Sequence, residues 1–452
     1  MLDKYLPILV IGTALIAFVV IVIKNWRWLP VILLPIMFYV PRQAVPNGLL
    51  ENFIIVRWLT SILIPGILII QLIKMLASHQ RFKMTPVAVP LLIFIVYYMA
   101  CGIINNTGII DIAGSLVLYV RYPLLLIIFV NLDIDDKVMK TFLILFFIFM
   151  VLQIPECILR YLLLGVRGDR ISMSLGPWGA FDLGVYSIYS IALVIAYNSV
   201  KGIKITHLIF CVFLFIIAML GEIKAFIISI PIIAIAIIYF SGQNQQMRKR
   251  ILSIALPIFL FFVAFYIYSI WGSVQKDSKS AFGFYINKIV NVITNPGVLL
   301  ESQQLDTQSS RVFGLAFVWD YLKNKPINLL FGVGPGSMLA GNFSGQPGKI
   351  YDVPQYLNQV SIILGELGII GFVLYLIFLI TLLFLFIQVT KSSKNPTVNI
   401  IGSALIGMWI YYTFLGPFYD LVWRHDSPNF VFYTLSAYII SRIYKKNNEM
   451  II

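Results

Sequence analysis

Charged residues are scarce in this chain. Only 12% of its 452 residues are Asp, Glu, Lys or Arg, whereas 60% are hydrophobic. A soluble domain is nearer one-quarter charged and half apolar, so this composition excludes a soluble globular protein. The apolar residues come in blocks of roughly 17–25, the length needed to cross ~30 Å of hydrocarbon. Since lipid offers no partner to an open backbone group, the blocks predict membrane helices.

The sequence also lacks the patterns of a disulfide framework, a metal site or a repeat protein. Its three cysteines, Cys101, Cys157 and Cys211, fall in or beside apolar blocks, where packing is their ordinary role. No metal-ligand spacing and no histidine cluster is present. We therefore expect no metal and no cofactor. No internal repeat of the kind found in inverted-repeat transporters is visible.

The apolar blocks predict an all-α integral membrane protein with about 12–13 transmembrane helices. Residues 1–452 would form a single polytopic domain, into which one large loop, residues 272–357, is inserted. The spans are predicted near residues 6–23, 28–40, 54–73, 87–103, 110–131, 141–159, 181–198, 206–220, 225–240, 252–271, 359–390, 399–418 and 428–443. The block at 359–390 is long for one span, which suggests tilt or an extension beyond the membrane.

Lys and Arg in the short loops predict the orientation, because cytoplasmic loops are enriched in them. Every second loop is basic, and this alternation is unbroken. The basic loops contain Lys24 and Arg27; Lys74, Arg81 and Lys83; Lys137 and Lys140; Lys201 and Lys204; Arg248, Lys249 and Arg250; Lys391 and Lys394; Arg442, Lys445 and Lys446. The net charge of +14 is thus largely a topology signal. Nucleic-acid binding is not expected, since no soluble basic domain could carry it.

Several charged residues fall where orientation does not require them. Arg167 and Arg170 lie in an outer loop, and Glu222 and Lys224 fill a very short outer turn. Glu222 and Lys224 either pair or snorkel to the headgroups, or they form an anion site facing an outer cavity. Arg121 falls near the middle of a span, where an Arg usually faces the bundle interior and finds a partner. The sequence indicates no clear partner for it.

The large loop contains a readable helix over residues 310–322. Leu315, Trp319 and Leu322 would share one face, and Arg311 lies one turn before Leu315. Pro326 ends the segment, and an amphipathic helix in such a loop would lie along the membrane surface. A glycine-rich turn follows at residues 332–336.

The order of these pieces resembles a known family. Ser310-Arg311, a helix with Trp319, Gly-Val-Gly-Pro-Gly at 332–336, and Asn358 eight residues before Glu366-Leu-Gly368 occur in this order. They resemble the O-antigen ligase and O-antigen polymerase superfamily of bacterial membrane glycosyltransferases. The match covers roughly residues 305–390. The remainder agrees in helix count, loop placement and the 167–176 loop.

The resemblance implies a fold, a substrate and a location. Family members resemble the C-type glycosyltransferase fold, need no metal and act at the extracytoplasmic side of the bacterial cytoplasmic membrane. They transfer a glycan from a polyprenyl pyrophosphate, and a polymerase uses a second lipid-linked repeat unit as acceptor. The lipid bilayer, a chain-length regulator and a flippase are the expected partners. The family's basic pyrophosphate positions fall on Arg311 and on Lys224, where many members have Arg.

One position departs from the ligases of this family. Ligases typically carry His immediately before the Asn that precedes the Glu-x-Gly helix, and here Leu357 precedes Asn358. This favours a polymerase that joins repeat units into a surface polysaccharide such as O-antigen, capsule or exopolysaccharide. Two alternatives stay open: an O-antigen or protein glycan ligase of the same superfamily, and a flippase or transporter of lipid-linked oligosaccharides.

The chemistry requires cations around the pyrophosphate and a group that activates the acceptor hydroxyl. Arg311, Lys224 and Arg170 lie on the predicted outer side, and Arg can bind two phosphate oxygens at once. The candidate bases are Asp352, Glu222 and His425. Direct displacement at the anomeric carbon inverts its configuration. Further candidate substrate contacts are Arg167, Arg121, Glu222, Trp319 and Asn358.

Overall fold

The computed structural model describes residues 25–39, 64, 66–67, 69–71, 73, 83, 85–166, 168, 171–172, 175, 179–221, 223–240, 310–338, 357–419 and 421–449. In this part of the chain every regular element is a helix and no strand occurs. The prediction of an all-α protein is therefore confirmed for these residues. The predicted spans at 6–23 and 252–271, and most of the loop at 272–357, lie outside the described residues.

The helices follow the apolar blocks. In chain order they are α1 (Leu29–Tyr39), α2 (Ala88–Ile104), α3 (Ile109–Asn131), α4 (Asp136–Leu164), α5 (Ala180–Lys201), α6 (Ile205–Leu220), α7 (Lys224–Phe240), α8 (Ser310–Lys323), α9 (Pro326–Phe331), α10 (Gln359–Ser392), α11 (Pro396–Ile410) and α12 (Asp426–Glu449). α11 continues through a π-helical turn to Tyr419. Among the described residues, α3, α4, α5, α10 and α11 with its continuation are long and apolar enough to cross a membrane, which makes the chain a membrane protein.

Side-chain caps set several helix boundaries. Asp135 accepts a hydrogen bond from the Val138 amide at 2.8 Å and begins α4. Gly165 ends the same helix with φ of 62°, a left-handed conformation that glycine adopts readily. Asn358 caps α10 by accepting from the Ser361 amide at 2.8 Å. These caps supply partners to backbone groups that a helix end leaves unsatisfied.

The core is apolar and rich in buried aromatic rings. α11 packs against α5, α7 and α10, and α12 packs against α3. Tyrosine rings line these contacts, among them Tyr119, Tyr375, Tyr412 and Tyr433. The Trp409 indole donates to the Leu379 carbonyl at 2.6 Å. Buried tyrosines and tryptophans combine large apolar area with one polar handle.

One end of the bundle, here called the basic end, gathers predicted cytoplasmic residues. Asp136 is the first residue of α4 and forms an ion pair with Arg442 of α12. It also accepts from the Tyr438 hydroxyl at 2.9 Å and from the Asn395 amide at 3.2 Å. The loops before α4 and α11 and the last turns of α12 therefore meet, as the alternation of basic loops predicts.

α10 bends sharply at Gly368. The Gln359 amide donates to the Tyr119 hydroxyl at 3.2 Å, and the Tyr375 ring also contacts Tyr119 with ring centroids 6.0 Å apart. In a straight helix residues 359 and 375 would be about 24 Å apart along the axis. Gly368 has φ of 67° and ψ of −170°, outside the helical region. The excess length of this block therefore forms a second helical segment, residues 359–367, where the sequence suggested tilt or an extension.

Candidate functional site

Arg121 lies in the middle of α3 and forms a buried ion pair. It is twelve residues beyond the start of α3 at Ile109, which corresponds to about 18 Å along the helix. Its guanidinium pairs with Asp426, the first residue of α12, and only 1% of the Arg121 side chain is exposed. The Tyr122 hydroxyl donates to the same carboxylate at 3.0 Å. The partner that the sequence did not indicate is thus Asp426.

His425 precedes this aspartate and contacts a second one. Its Nδ1 atom lies 2.8 Å from an oxygen of Asp182, in the first turn of α5. The Phe181 ring packs on the imidazole with ring centroids 4.4 Å apart. His425 is 27% exposed and Asp182 17% exposed. The structure therefore joins a predicted catalytic residue to an acid that sequence reasoning missed.

Hydrogen bonds hold the turn that carries His425. The Asn429 side-chain amide donates to the carbonyls of His425 and Val422. The Trp423 indole donates to the Tyr412 carbonyl at 2.9 Å, and its ring packs on Tyr375. Val422 and Trp423, three and two residues before His425, are thus anchored to the core, and the position of the imidazole is set by packed neighbours.

The glycine-rich turn docks onto the bend in α10. The Val333 amide donates to the Gly365 carbonyl at 2.9 Å, and the Gly334 amide donates to the Glu366 carbonyl at 3.0 Å. These carbonyls have no helical partner because the helix is interrupted at Gly368. A side chain at Gly332 would overlap the backbone of Glu366. The two halves of the family resemblance, which are separate in the sequence, therefore form one structural unit.

α8 lies at the same end as this unit. Val318 and Leu322 are buried in a small apolar cluster with Val333, Met338 and Ile362, and Leu421 and Leu357 pack against it. Trp319 is 52% exposed. Val318 and Leu322, one turn apart, face α10. That Leu315, Trp319 and Leu322 form a face toward the membrane surface stays a prediction.

The predicted site residues fall into three groups. Arg121 and His425 form the ion pairs with Asp426 and Asp182, whereas Asn358 caps α10 and donates to the Phe418 carbonyl at 3.3 Å. The backbone of Arg311 lies in the first turn of α8, and Lys224 is the first residue of α7. Arg167, Arg170, Glu222 and Asp352 lie outside the described residues. Substrate contacts by Arg121, Trp319 and Asn358 stay predictions.

Asp182 and Asp426 carried weak signals in the sequence. Each is a single acid in the first turn of a mainly apolar helix, where a carboxylate also suits the helix dipole. Only the packing of α3, α5 and α12 brings them to Arg121 and His425. In the part of the chain that the structure covers, no group of three or more His, Cys, Asp or Glu could hold a metal ion.

In comparisons with known proteins, no protein-family model and no curated protein matches the chain.

Proposed function

We propose that this protein is a membrane glycosyltransferase that polymerises oligosaccharide repeat units carried on a polyprenyl pyrophosphate. It acts at the outer face of a bacterial cytoplasmic membrane, with C-type architecture and about 12–13 spans. The donor loses its lipid pyrophosphate, and the acceptor is a second lipid-linked unit.

One observation carries the proposal. Backbone hydrogen bonds join the glycine turn at 332–336 to the Glu366-Leu-Gly368 bend. The two sequence segments that carry the family resemblance are therefore in direct contact. Ionisable groups from α3, α5 and α12 also come together, since Arg121 pairs with Asp426 and the neighbouring His425 contacts Asp182. Ionisable residues inside a membrane protein are costly, and they mark functional sites by default.

The polymerase is favoured over the ligase by the environment of Leu357. This residue stands where ligases typically have His, and here it packs against the apolar cluster of Val318 and Ile362. A base at this position would lie among apolar side chains. The acceptor hydroxyl would therefore be activated by another group.

Deletion of the gene in its native host separates the three functions. A strain without the polymerase should display single repeat units in place of long polysaccharide. Loss of a ligase would leave lipid-linked polymer inside the envelope, and loss of a flippase would leave undecorated cells with single lipid-linked units. Either of the last two results would contradict the proposal.

Arg311 should be essential for polymer formation. As a two-pronged phosphate ligand it would stabilise the leaving pyrophosphate by several kcal/mol, and each ~1.4 kcal/mol changes the rate about tenfold. We expect Arg311→Ala to abolish long polymer in the complemented deletion strain and Arg311→Lys to be severely impaired, with normal protein levels. Gel analysis of surface polysaccharide measures both.

The matched control for Arg311 is Lys323→Ala on the same helix. Lys323 forms an exposed ion pair with Asp320, and such pairs contribute only about 0–1 kcal/mol. This variant should make polymer of normal length. Polymer at near wild-type level in Arg311→Ala would reject the pyrophosphate assignment and favour the transporter.

A further inference from the structure

His425 and Asp182 bring an imidazole and a carboxylate together from two separate parts of the chain. His425 lies in the turn before α12 and Asp182 in the first turn of α5, and Nδ1 of the imidazole lies 2.8 Å from an oxygen of the Asp182 carboxylate. That oxygen makes no hydrogen bond among the described residues, so the contact is one of charge. A carboxylate beside an imidazole stabilises the imidazolium that forms when the ring takes a proton.

The imidazole is also held in one orientation. Phe181, the neighbour of Asp182, packs on its ring, and Asn429 binds its backbone carbonyl. The next residue, Asp426, is fixed by Arg121 and Tyr122. Four contacts from α3, α5 and α12 therefore restrain the turn that carries His425. A general base that is held in this way can accept a proton without first changing its orientation.

Exposure separates His425 from the charges beside it. Arg121 is 1% exposed and is neutralised by Asp426, so it serves as an internal counter-ion. His425 is 27% exposed, which leaves part of the ring accessible. In this group of described residues, the imidazole combines a carboxylate partner with an accessible surface.

We infer that Asp182 positions His425 as the general base that activates the acceptor hydroxyl, a role that rests on the proposed polymerase function. The imidazole of His425 takes the hydroxyl proton as the acceptor oxygen forms its bond to the anomeric carbon of the donor. The bond between that carbon and the phosphate oxygen breaks, and its electron pair leaves with the polyprenyl pyrophosphate. The imidazolium that forms is stabilised by Asp182. The proton later returns to water.

Steady-state kinetics on membranes containing the full-length protein test this role. The substrate is the lipid-linked glycan extracted from the deletion strain. His425→Gln should lower kcat by about a hundredfold or more, the usual share of a general base. Asp182→Asn should lower kcat by roughly tenfold to a hundredfold with KM unchanged, since it acts through the histidine.

The double variant distinguishes a positioning role from a structural one. If Asp182 acts only through His425, the His425→Gln, Asp182→Asn protein should be no slower than His425→Gln alone. Asp136→Asn is the matched control, because it removes an ion-paired aspartate at the basic end. It should keep wild-type kcat. Size-exclusion profiles check that each variant is folded, and Asp182→Glu, which keeps the charge, should recover part of the kcat lost in Asp182→Asn.

Several results would overturn the inference while leaving the polymerase intact. They are wild-type kcat in Asp182→Asn or in His425→Gln, and a double variant slowed by the product of the two single effects. If Asp182→Asn does not accumulate, His425→Gln and Asp182→Glu decide by the same criteria. Failure of wild-type membranes to lengthen the glycan is a different result, because it rejects the polymerase and the base together.

Discussion

Arg121 illustrates what a single charged residue costs inside an apolar bundle. A buried ion is expensive unless it is paired and hydrogen-bonded. Here Asp426 supplies the opposite charge, and Tyr122 donates to the same carboxylate. The pair also joins the middle of α3 to the start of α12. The ion pair therefore fixes the geometry of the turn that contains His425.

Breaking this pair should destabilise the protein strongly. Removal of one partner leaves an uncompensated buried charge, which typically costs about 3–5 kcal/mol. We expect Arg121→Leu to lower the thermal unfolding midpoint of the purified protein by far more than Arg442→Leu, whose partner Asp136 is half exposed. The double variant Arg121→Leu, Asp426→Leu should recover much of the loss. Equal effects of the two single variants would contradict a buried pair.

The sequence identifies unusual residues more readily than their partners. Arg121 stands out because an arginine in the middle of a span is rare. Its partner Asp426 and the partner of His425, Asp182, give no comparable signal. Pairing depends on which helices pack together, and apolar periodicity does not encode that. The charge pairs were therefore beyond sequence reasoning.

At the scale of elements, the unit formed by the glycine turn and the α10 bend is the least ordinary feature. Gly332 has φ of 75° and ψ of −174°, and Gly368 has φ of 67° and ψ of −170°. This region of backbone conformation is essentially restricted to glycine. Side chains at the two positions would overlap backbone atoms of Glu366 and Leu330 respectively. Glycine is thus required at both positions for two reasons: it adopts this backbone conformation, and it leaves room for the neighbouring backbone atoms.

Substitution of Gly332 should therefore be poorly tolerated. Gly332→Ala combines backbone strain with a steric overlap, and we expect a loss of about 3 kcal/mol or more in unfolding free energy. Gly165→Ala is the matched control. That glycine is also left-handed, with φ of 62°, but no atom lies within 4 Å of its added Cβ, so about 1–2 kcal/mol should be lost. A Gly332→Ala protein as stable as Gly165→Ala would show that the turn can move away from α10.

Helix positions were predictable because the bilayer sets the length of an apolar block. The predicted blocks at 110–131 and 206–220 agree closely with Ile109–Asn131 and Ile205–Leu220. The sequence did not predict the bend at Gly368, because a glycine inside an apolar run does not interrupt the hydrophobic pattern. In the structure the bend brings Gln359 and Tyr375 of α10 into contact with the same residue, Tyr119.

At the scale of the whole molecule, the basic end and the glycine turn lie at opposite ends of α3. Asp136, Asn395 and Arg442 meet at the basic end. The glycine turn packs near Asn105 and Thr107, at the tip of the hairpin between α2 and α3. The ends to which the sequence assigned opposite sides are therefore distinct places in the fold. The packing order of the helices was not predictable, since every apolar face looks alike in the sequence.

Cysteine labelling in intact cells tests which end faces outward. Lys325 lies between α8 and α9, Lys394 lies between α10 and α11, and both are exposed. In the native host, Lys325→Cys should react with a membrane-impermeant thiol reagent, and Lys394→Cys should react only after the cells are opened. Labelling of the protein with its native cysteines gives the background. The reverse pattern would place the proposed active site in the cytoplasm.

Polymerisation by the purified protein is the most direct test of the central claim. The full-length chain in detergent should convert lipid-linked glycan extracted from the deletion strain into a ladder of longer lipid-linked chains, with release of polyprenyl pyrophosphate. Because the proposed cations are Arg and Lys side chains, the ladder should form equally well in excess EDTA. Absence of any product longer than the starting unit would contradict the polymerase. A ladder that disappears with EDTA and returns with a divalent ion would contradict the proposed source of the positive charge.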